Sequence, residues 1–208
     1  MHPTRPGSDL QTLAVSNREP VRVHPSTWQV LALAQEIWQW SDGIFDPCLP
    51  QRAGRFADVE LRSDSTVLCR APVAIDLGGI AKGFAIDAAV EILTAAGCER
   101  GIVNAGGDVR VFGPHPEPIS IRRVGGDSTT IELLDAALAV SDRNAPHPAE
   151  HRGYYLRTDA EKEAKAAAAV IAKRAVYADA LTKCALFCSP STLRALEERC
   201  DAKVIGLY

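Results

Sequence analysis

Ala74-Ile75-Asp76-Leu77-Gly78-Gly79-Ile80-Ala81-Lys82-Gly83-Phe84 runs from apolar residues into an acid, two glycines and the start of a helix. The glycines let backbone come close to a ligand with no Cβ in the way. The helix start offers free N–H groups and the positive end of a dipole, which suit phosphate oxygens. Lys82 adds a mobile positive charge, and Asp76 can accept hydrogen bonds or help to hold a metal. A plain structural turn accounts for the same pattern. Neither the G-x-x-x-x-G-K-[ST] phosphate loop nor the G-x-G-x-x-G dinucleotide fingerprint occurs.

Outward from this stretch, apolar spacing predicts a helix over about 81–96, with Ile86, Ala89, Val90 and Leu93 facing inward and Gly97 ending it. Upstream, strands are expected at 57–61, 66–70 and 73–75, and a short one at 21–23 within an otherwise irregular start. A helix is expected over 26–40, opened by a capping box at Ser26-Thr27-Trp28-Gln29 and stopped near Gly43. Downstream, strands at 101–103 and 109–112 flank Ala105-Gly106-Gly107. A meander of strands at 119–123, 130–134 and 138–140 follows, with Val124–Asp127 as a hairpin turn. Residues 141–160 have loop composition. Propensity makes 161–174 helical. Helices at 177–187 and from Ser189-Pro190 to about 198 precede a closing strand at 203–208. Strands and helices are grouped rather than strictly alternating, so the class is α+β.

The 208 residues suit one domain, and a net charge of −3 leaves no basic footprint for nucleic acid. No apolar run is long enough to span a membrane. The first residues lack the apolar stretch of a secretory signal, an expectation that favours the cytoplasm. The six cysteines form no C-x-x-C pair. Cys184 and Cys188, one helical turn apart, could serve a metal, but small buried hydrophobes is the plainer reading.

Three further segments can carry chemistry. Val103-Asn104-Ala105-Gly106-Gly107-Asp108 aims an Asn and an Asp at a Gly-Gly turn, and is a hairpin or a site. Asp42-Gly43-Ile44-Phe45-Asp46-Pro47 places an aromatic at a helix exit, where it packs in the core or stacks on a flat ring. Tyr177-Ala178-Asp179-Ala180-Leu181-Thr182-Lys183 sets Asp179 and Lys183 four apart on one helix face, as an ion pair or a site.

Taken in chain order, the four segments resemble the FAD:protein FMN transferase family, also called ApbE. The family pattern is D-G-x-F-D-P, D-L-G-G-I-A-K-G, N-x-G-G-D and A-D-A-L, and the resemblance covers residues 7–112 and 168–208. It implies a T-fold-like, mainly antiparallel sheet with helices packed on it, and an edge strand at 170–172, which is favoured there over the helix that propensity gives. It also implies magnesium-dependent transfer of FMN from FAD, as substrate, to a Thr or Ser hydroxyl of an acceptor protein. Carried over by position, Ile44, Phe45, Asp46, Asp76, Gly78, Lys82, Asn104, Gly106, Gly107 and Asp108 contact the flavin dinucleotide. Gly79, through its carbonyl, Asp179 and Thr182 meet Mg2+. Asp179, Lys183 and His147 are the catalytic candidates. Two other activities fit the same segments: FAD binding without catalysis, and FAD pyrophosphatase action releasing FMN and AMP.

Three departures from the family pattern stand out. Arg5–Leu10 resembles a motif that normally follows two strands and a helix. The expectation is therefore that the usual leading segment, with its flavin-contacting residues and export signal, is missing, either in a short variant or because the start is set too late. The resemblance itself points to the periplasm. The second metal-binding Thr belongs four residues after the Asp, where this chain has Lys183; Thr182 is one residue early. Either the ammonium displaces the metal, or a small helix rotation brings Thr182 to it. Finally, the H-x-x-D-P segment that supplies a His is not recognisable, which leaves His147 and His151 as solvated loop residues or a base.

Overall fold

The computed structural model describes residues 5–122, 126–143 and 166–205. By its internal contacts the chain divides into two compact units, whose described parts are residues 5–81 and residues 82–122, 126–143 and 166–205.

The first unit opens with helix α1 (Asp9–Ala14), capped by Ser8, whose Oγ accepts the Gln11 N–H at 3.3 Å. The expectation of an irregular start is corrected here. One turn and a half of helix is too short for periodicity to reveal, and Leu10 and Leu13 bury it. Helix α2 (Pro25–Trp40) starts earlier than the capping box suggested. His24 is the N-cap, its Nδ1 accepting the Ser26 N–H at 3.2 Å, and Pro25 opens the first turn, where no N–H is needed. Its far end closes as expected: Gly43, at φ +79°, donates its N–H to Trp38 O at 2.8 Å. Strands β1 (Val21–Arg22), β2 (Val59–Leu61) and β3 (Thr66–Cys69) form a small antiparallel sheet in the order β1-β3-β2. The residues just before β2, expected as strand, wind into a 3₁₀ turn at Phe56–Asp58. Residues 73–75 do not form a strand either, and only Ile75 makes an isolated bridge, to Cys48.

The second unit is a five-stranded antiparallel sheet carrying helices, as the α+β reading expected. Its order is β10-β9-β8-β5-β4, from β4 (Gly101–Ala105), β5 (Asp108–Phe112), β8 (Ala137–Asp142), β9 (Ala167–Ala172) and β10 (Ala202–Ile205). The expected meander is broken. Strands β6 (Glu117–Arg122) and β7 (Ser128–Leu133) pair only with each other, and β5 pairs directly with β8. Leu133 and Ile121 of this ribbon are buried against Val109, Val111, Leu138 and Ala169 of the sheet. The segment 167–172 is also strand, against its helical propensity, and it lies inside the sheet rather than at its edge, paired to β8 and β10. Ladder hydrogen bonds on both sides override an alanine preference worth only tenths of a kcal/mol per residue.

Alanines of β8 and β9 serve the opposite face, where Ala137, Ala139 and Ala172 pack with Ile86, Ala175 and Ala178. The helices there are α3 (Ala81–Ala95), α4 (Ala175–Phe187) and α5 (Pro190–Cys200). Ser189 caps α5 through Thr192 N–H, and Pro190 opens it, as the Ser-Pro pair predicted. The buried stripe of α3 is Gly83, Ile86 and Asp87; Leu93 is exposed and Ala89 and Val90 are only half-buried, so the predicted stripe holds at Ile86 alone.

Cysteines test this packing. Burial pushes the Cys69 thiol up to about 11, whereas Cys98 is exposed. Alkylation of the native protein near pH 8, read by mass spectrometry, should modify Cys98 readily. Cys69 should react about a hundredfold more slowly than an ordinary thiol, because its thiolate fraction is that much smaller.

Candidate active site

In the first unit, two candidate segments lie side by side. Leu49 N–H donates to Ala74 O at 2.7 Å, and Asp76 N–H donates to Pro47 O at 2.9 Å. Each segment is braced by its own acid: Asp46 Oδ1 accepts the Cys48 N–H at 2.8 Å, and Asp76 Oδ1 accepts the Gly78 N–H at 2.9 Å. Such side-chain turns hold the backbone without a regular strand. Phe45 is buried, its N–H held by Ser41 Oγ at 3.0 Å, while Ile44 and Asp46 are partly exposed. Phe45 is therefore core, and Ile44 is the more accessible apolar surface. Gly78 is exposed and Gly79 buried.

In the second unit, adjacent residues of α3 reach two different acids. Lys82 Nζ donates to Asp108 Oδ2 at 2.6 Å, and Gly83 N–H donates to Asp179 Oδ2 at 3.1 Å. Asp108 is placed by its hairpin. Gly106 and Gly107, at φ +64° and +99°, make a two-residue turn, with Ala105 and Asp108 as the closing pair. Two successive positive φ angles favour Gly strongly, and their twist matches that of the strands. Asn104 Oδ1 fastens the turn by accepting the Gly107 N–H at 3.1 Å.

Asp179 lies on α4, fully buried. Its Oδ1 accepts from Lys183 Nζ at 2.5 Å, and the same ammonium donates to the Asp179 carbonyl at 2.9 Å. The Thr182 hydroxyl donates to that carbonyl at 2.7 Å, so its single proton is used and the 2.7 Å contact with Ser141 Oγ is one it accepts. Burial, with the nearby Asp179 charge behind it, holds the Asp108 carboxyl above the usual carboxylate range, while Lys82 and Lys183 pull it back. The cluster thus contains two buried carboxylates and two ammoniums.

The implied magnesium ion can be tested against these donors. Asp179 has one oxygen on an ammonium and the other on a backbone N–H; the Thr182 hydroxyl is directed at its own helix and at Ser141. Mg2+ needs near-octahedral oxygen donors, and an ammonium in contact with its main carboxylate opposes it. These second-unit residues do not fit the ion. Among the described residues, no three His, Cys, Asp or Glu side chains come together as a metal-holding group. His147 and His151 lie outside the described residues.

Two residues that pattern reading passed over complete the site. Asp87 accepts the Ala175 N–H at 2.8 Å and the Val176 N–H at 3.0 Å, capping α4 from α3. Ser141 brings β8 to Thr182. Asp87 left one signal: it shares a helix face with Gly83 and Ile86, where an acid is out of place unless partnered.

An antiparallel sheet packed on a small-residue helix face, with two acids and two lysines gathered beside the first turns of α3 and α4, defines the second unit as an α+β fold. The chain belongs to the ApbE family, whose model matches residues 1–205. It is 33% identical over 153 residues to a Rhodobacter capsulatus protein named FAD:protein FMN transferase, an alignment covering 58% of this chain and 29% of that protein. The chain therefore spans less than a third of that relative's length. Among solved structures it resembles the apo flavinyl transferase ApbE of Pseudomonas stutzeri, with a TM-score of 0.76 at 21% identity, over 94% of this chain and 72% of that one. The flavin transferase ApbE of Vibrio cholerae gives 0.74 at 19% identity, over 90% and 72%. At these identities the structures establish the shared fold. None of the described helices is long and apolar enough to cross a membrane.

Proposed function

We propose that this protein binds FAD and transfers its FMN portion to a Thr or Ser hydroxyl of an acceptor protein. The observation that carries the reading is the paired arrangement of Lys82 with Asp108 and Lys183 with Asp179 at the start of α3. Membership of the family supplies the reaction class. In the reaction, the acceptor oxygen forms a bond to the FMN phosphorus while the bridging P–O bond breaks, and AMP leaves with that electron pair. The hydroxyl proton passes to a base or to solvent. Lys82, whose side chain is 45% exposed, is the ammonium best able to meet pyrophosphate oxygens while tethered to Asp108. Fixed positive groups facing a pyrophosphate stabilise the charge that grows on the leaving phosphate.

The test is incubation with FAD and a Thr-containing acceptor, followed by intact mass. An acceptor heavier by FMN less water, with one AMP released per adduct, supports the proposal. Free FMN and AMP without adduct would identify a pyrophosphatase instead, and FAD bound but intact would identify a binding protein.

A further inference from the structure

We propose that the Lys183 ammonium is the resident cation of the Asp179 centre, and that it keeps divalent metal ions out. The position is built rather than incidental. Lys183 is four residues after Asp179 on α4, so the helix itself sets its ammonium over that carboxylate. Two bonds hold it, one to Oδ1 and one to the Asp179 carbonyl. Only 15% of its side chain is exposed, and none of the carboxylate's. The remaining Asp179 oxygen is taken by Gly83 N–H, and Thr182 is committed to the helix and to Ser141.

Charge balance leads to the same place. Asp108 and Asp179 feel each other, and Lys82 and Lys183 both act on Asp108. Two negative and two positive groups already cancel. A dication would have to displace an ammonium and then sit beside the second one. Among the described residues, Cys184 and Cys188 are not joined by a third His, Cys, Asp or Glu in a metal-holding group.

The inference deepens the flavin-transfer reading by naming the cation that would serve it. Its first test uses no flavin. Mn2+ is titrated against the full chain, with the free-ion electron paramagnetic resonance signal as readout. The wild type should leave the signal unchanged. Lys183→Thr should bind Mn2+ at least about tenfold more tightly, because a carboxylate oxygen is freed and a positive neighbour removed. Adding Asp179→Asn should abolish that binding. Lys183→Gln, which keeps a donor to the Asp179 carbonyl but no charge, decides the matter if the Thr variant does not fold. Wild-type Mn2+ binding that Asp179→Asn removes would overturn the inference. So would folded Lys183→Thr and Lys183→Gln proteins that both ignore the ion.

The transfer assay separates the two proposals. FMN transfer that persists in EDTA supports both. Transfer abolished by EDTA and restored by Mg2+ sinks the resident ammonium while the flavin reading stands. No FAD chemistry under either condition, together with the expected Mn2+ results, sinks the flavin reading alone.

Discussion

Gly83→Ala is expected to lower the stability of the second unit by about 3 kcal/mol, seen as an earlier midpoint in urea denaturation. A Cβ at position 83 would lie 2.2 Å from Ala175 O, 2.6 Å from Ala175 C and 2.7 Å from Val176 Cα. All three are backbone atoms of α4, so no rotamer change relieves the overlap; α3 and α4 must separate. Overpacking costs about 1–3 kcal/mol, and more where nothing can move. Placing Ala rather than Gly in a helix returns roughly 1 kcal/mol. The clash dominates. Gly106→Ala is the internal control: a Cβ there meets nothing within 4 Å, and the strain of φ +64° should cost only about 1–2 kcal/mol. Separation of the helices would also pull the Gly83 N–H from Asp179, so whatever Gly83→Ala protein folds should lose function more steeply than stability. A Gly83→Ala protein with wild-type midpoint would mean the two helices are not in this contact.

Asp87→Ala is expected to cost about 3–4 kcal/mol by the same measurement. The carboxylate accepts two N–H groups at the first turn of α4, and it is almost entirely buried. Hydrogen bonds to a charged group contribute about 1.5–3 kcal/mol each, and truncation leaves both donors dry. Burial outweighs these bonds and the nearby Arg174 in setting the acid's proton affinity, holding it above the ordinary value of 3.8. The sign follows from that direction. The folded state holds the Asp87 proton more tightly than the unfolded chain does. Its contribution to stability is therefore full at low pH and falls as pH rises from 3.8 through the folded value. Asp87→Asn keeps one acceptor and removes the titration, so it should lose about half as much and flatten that part of the pH profile. An Asp87→Ala midpoint within error of wild type would show that α4 does not depend on this cap.

Local chemistry explains what could be read directly. The Ser189-Pro190 start of α5, the Gly97 stop of α3 and the Gly106-Gly107 hairpin each depend on residues within a few positions, and those signals are explicit in the chain. The ordered acid and glycine segments were legible for the same reason. Where partners come from afar, reading failed. The β6–β7 ribbon leaves the meander because its apolar face has the sheet to cover, and β9, which the family pattern marked as strand against its helical propensity, lies inside the sheet rather than at its edge because β10 joins it. Asp87 caps a helix 88 residues away, which no local pattern encodes. The Asp179–Lys183 ion pair was legible from its spacing of four, but its burial and the second bond, to the Asp179 carbonyl, emerge only from the folded helix.

The two-glycine hairpin has a consequence for how this protein can vary. Asp108 is the first residue of β5, and alternate residues of a strand point to opposite faces. One residue added between Asn104 and Asp108 would exchange those faces along the whole of β5 unless a bulge absorbed it, carrying the acid away from Lys82 and turning Val109 and Val111 out of their core. This turn acts as a spacer of fixed count, on which the Lys82–Asp108 pairing and core packing depend together. A change of length here therefore alters charge placement and packing in one step, which no single side-chain substitution in the turn would do.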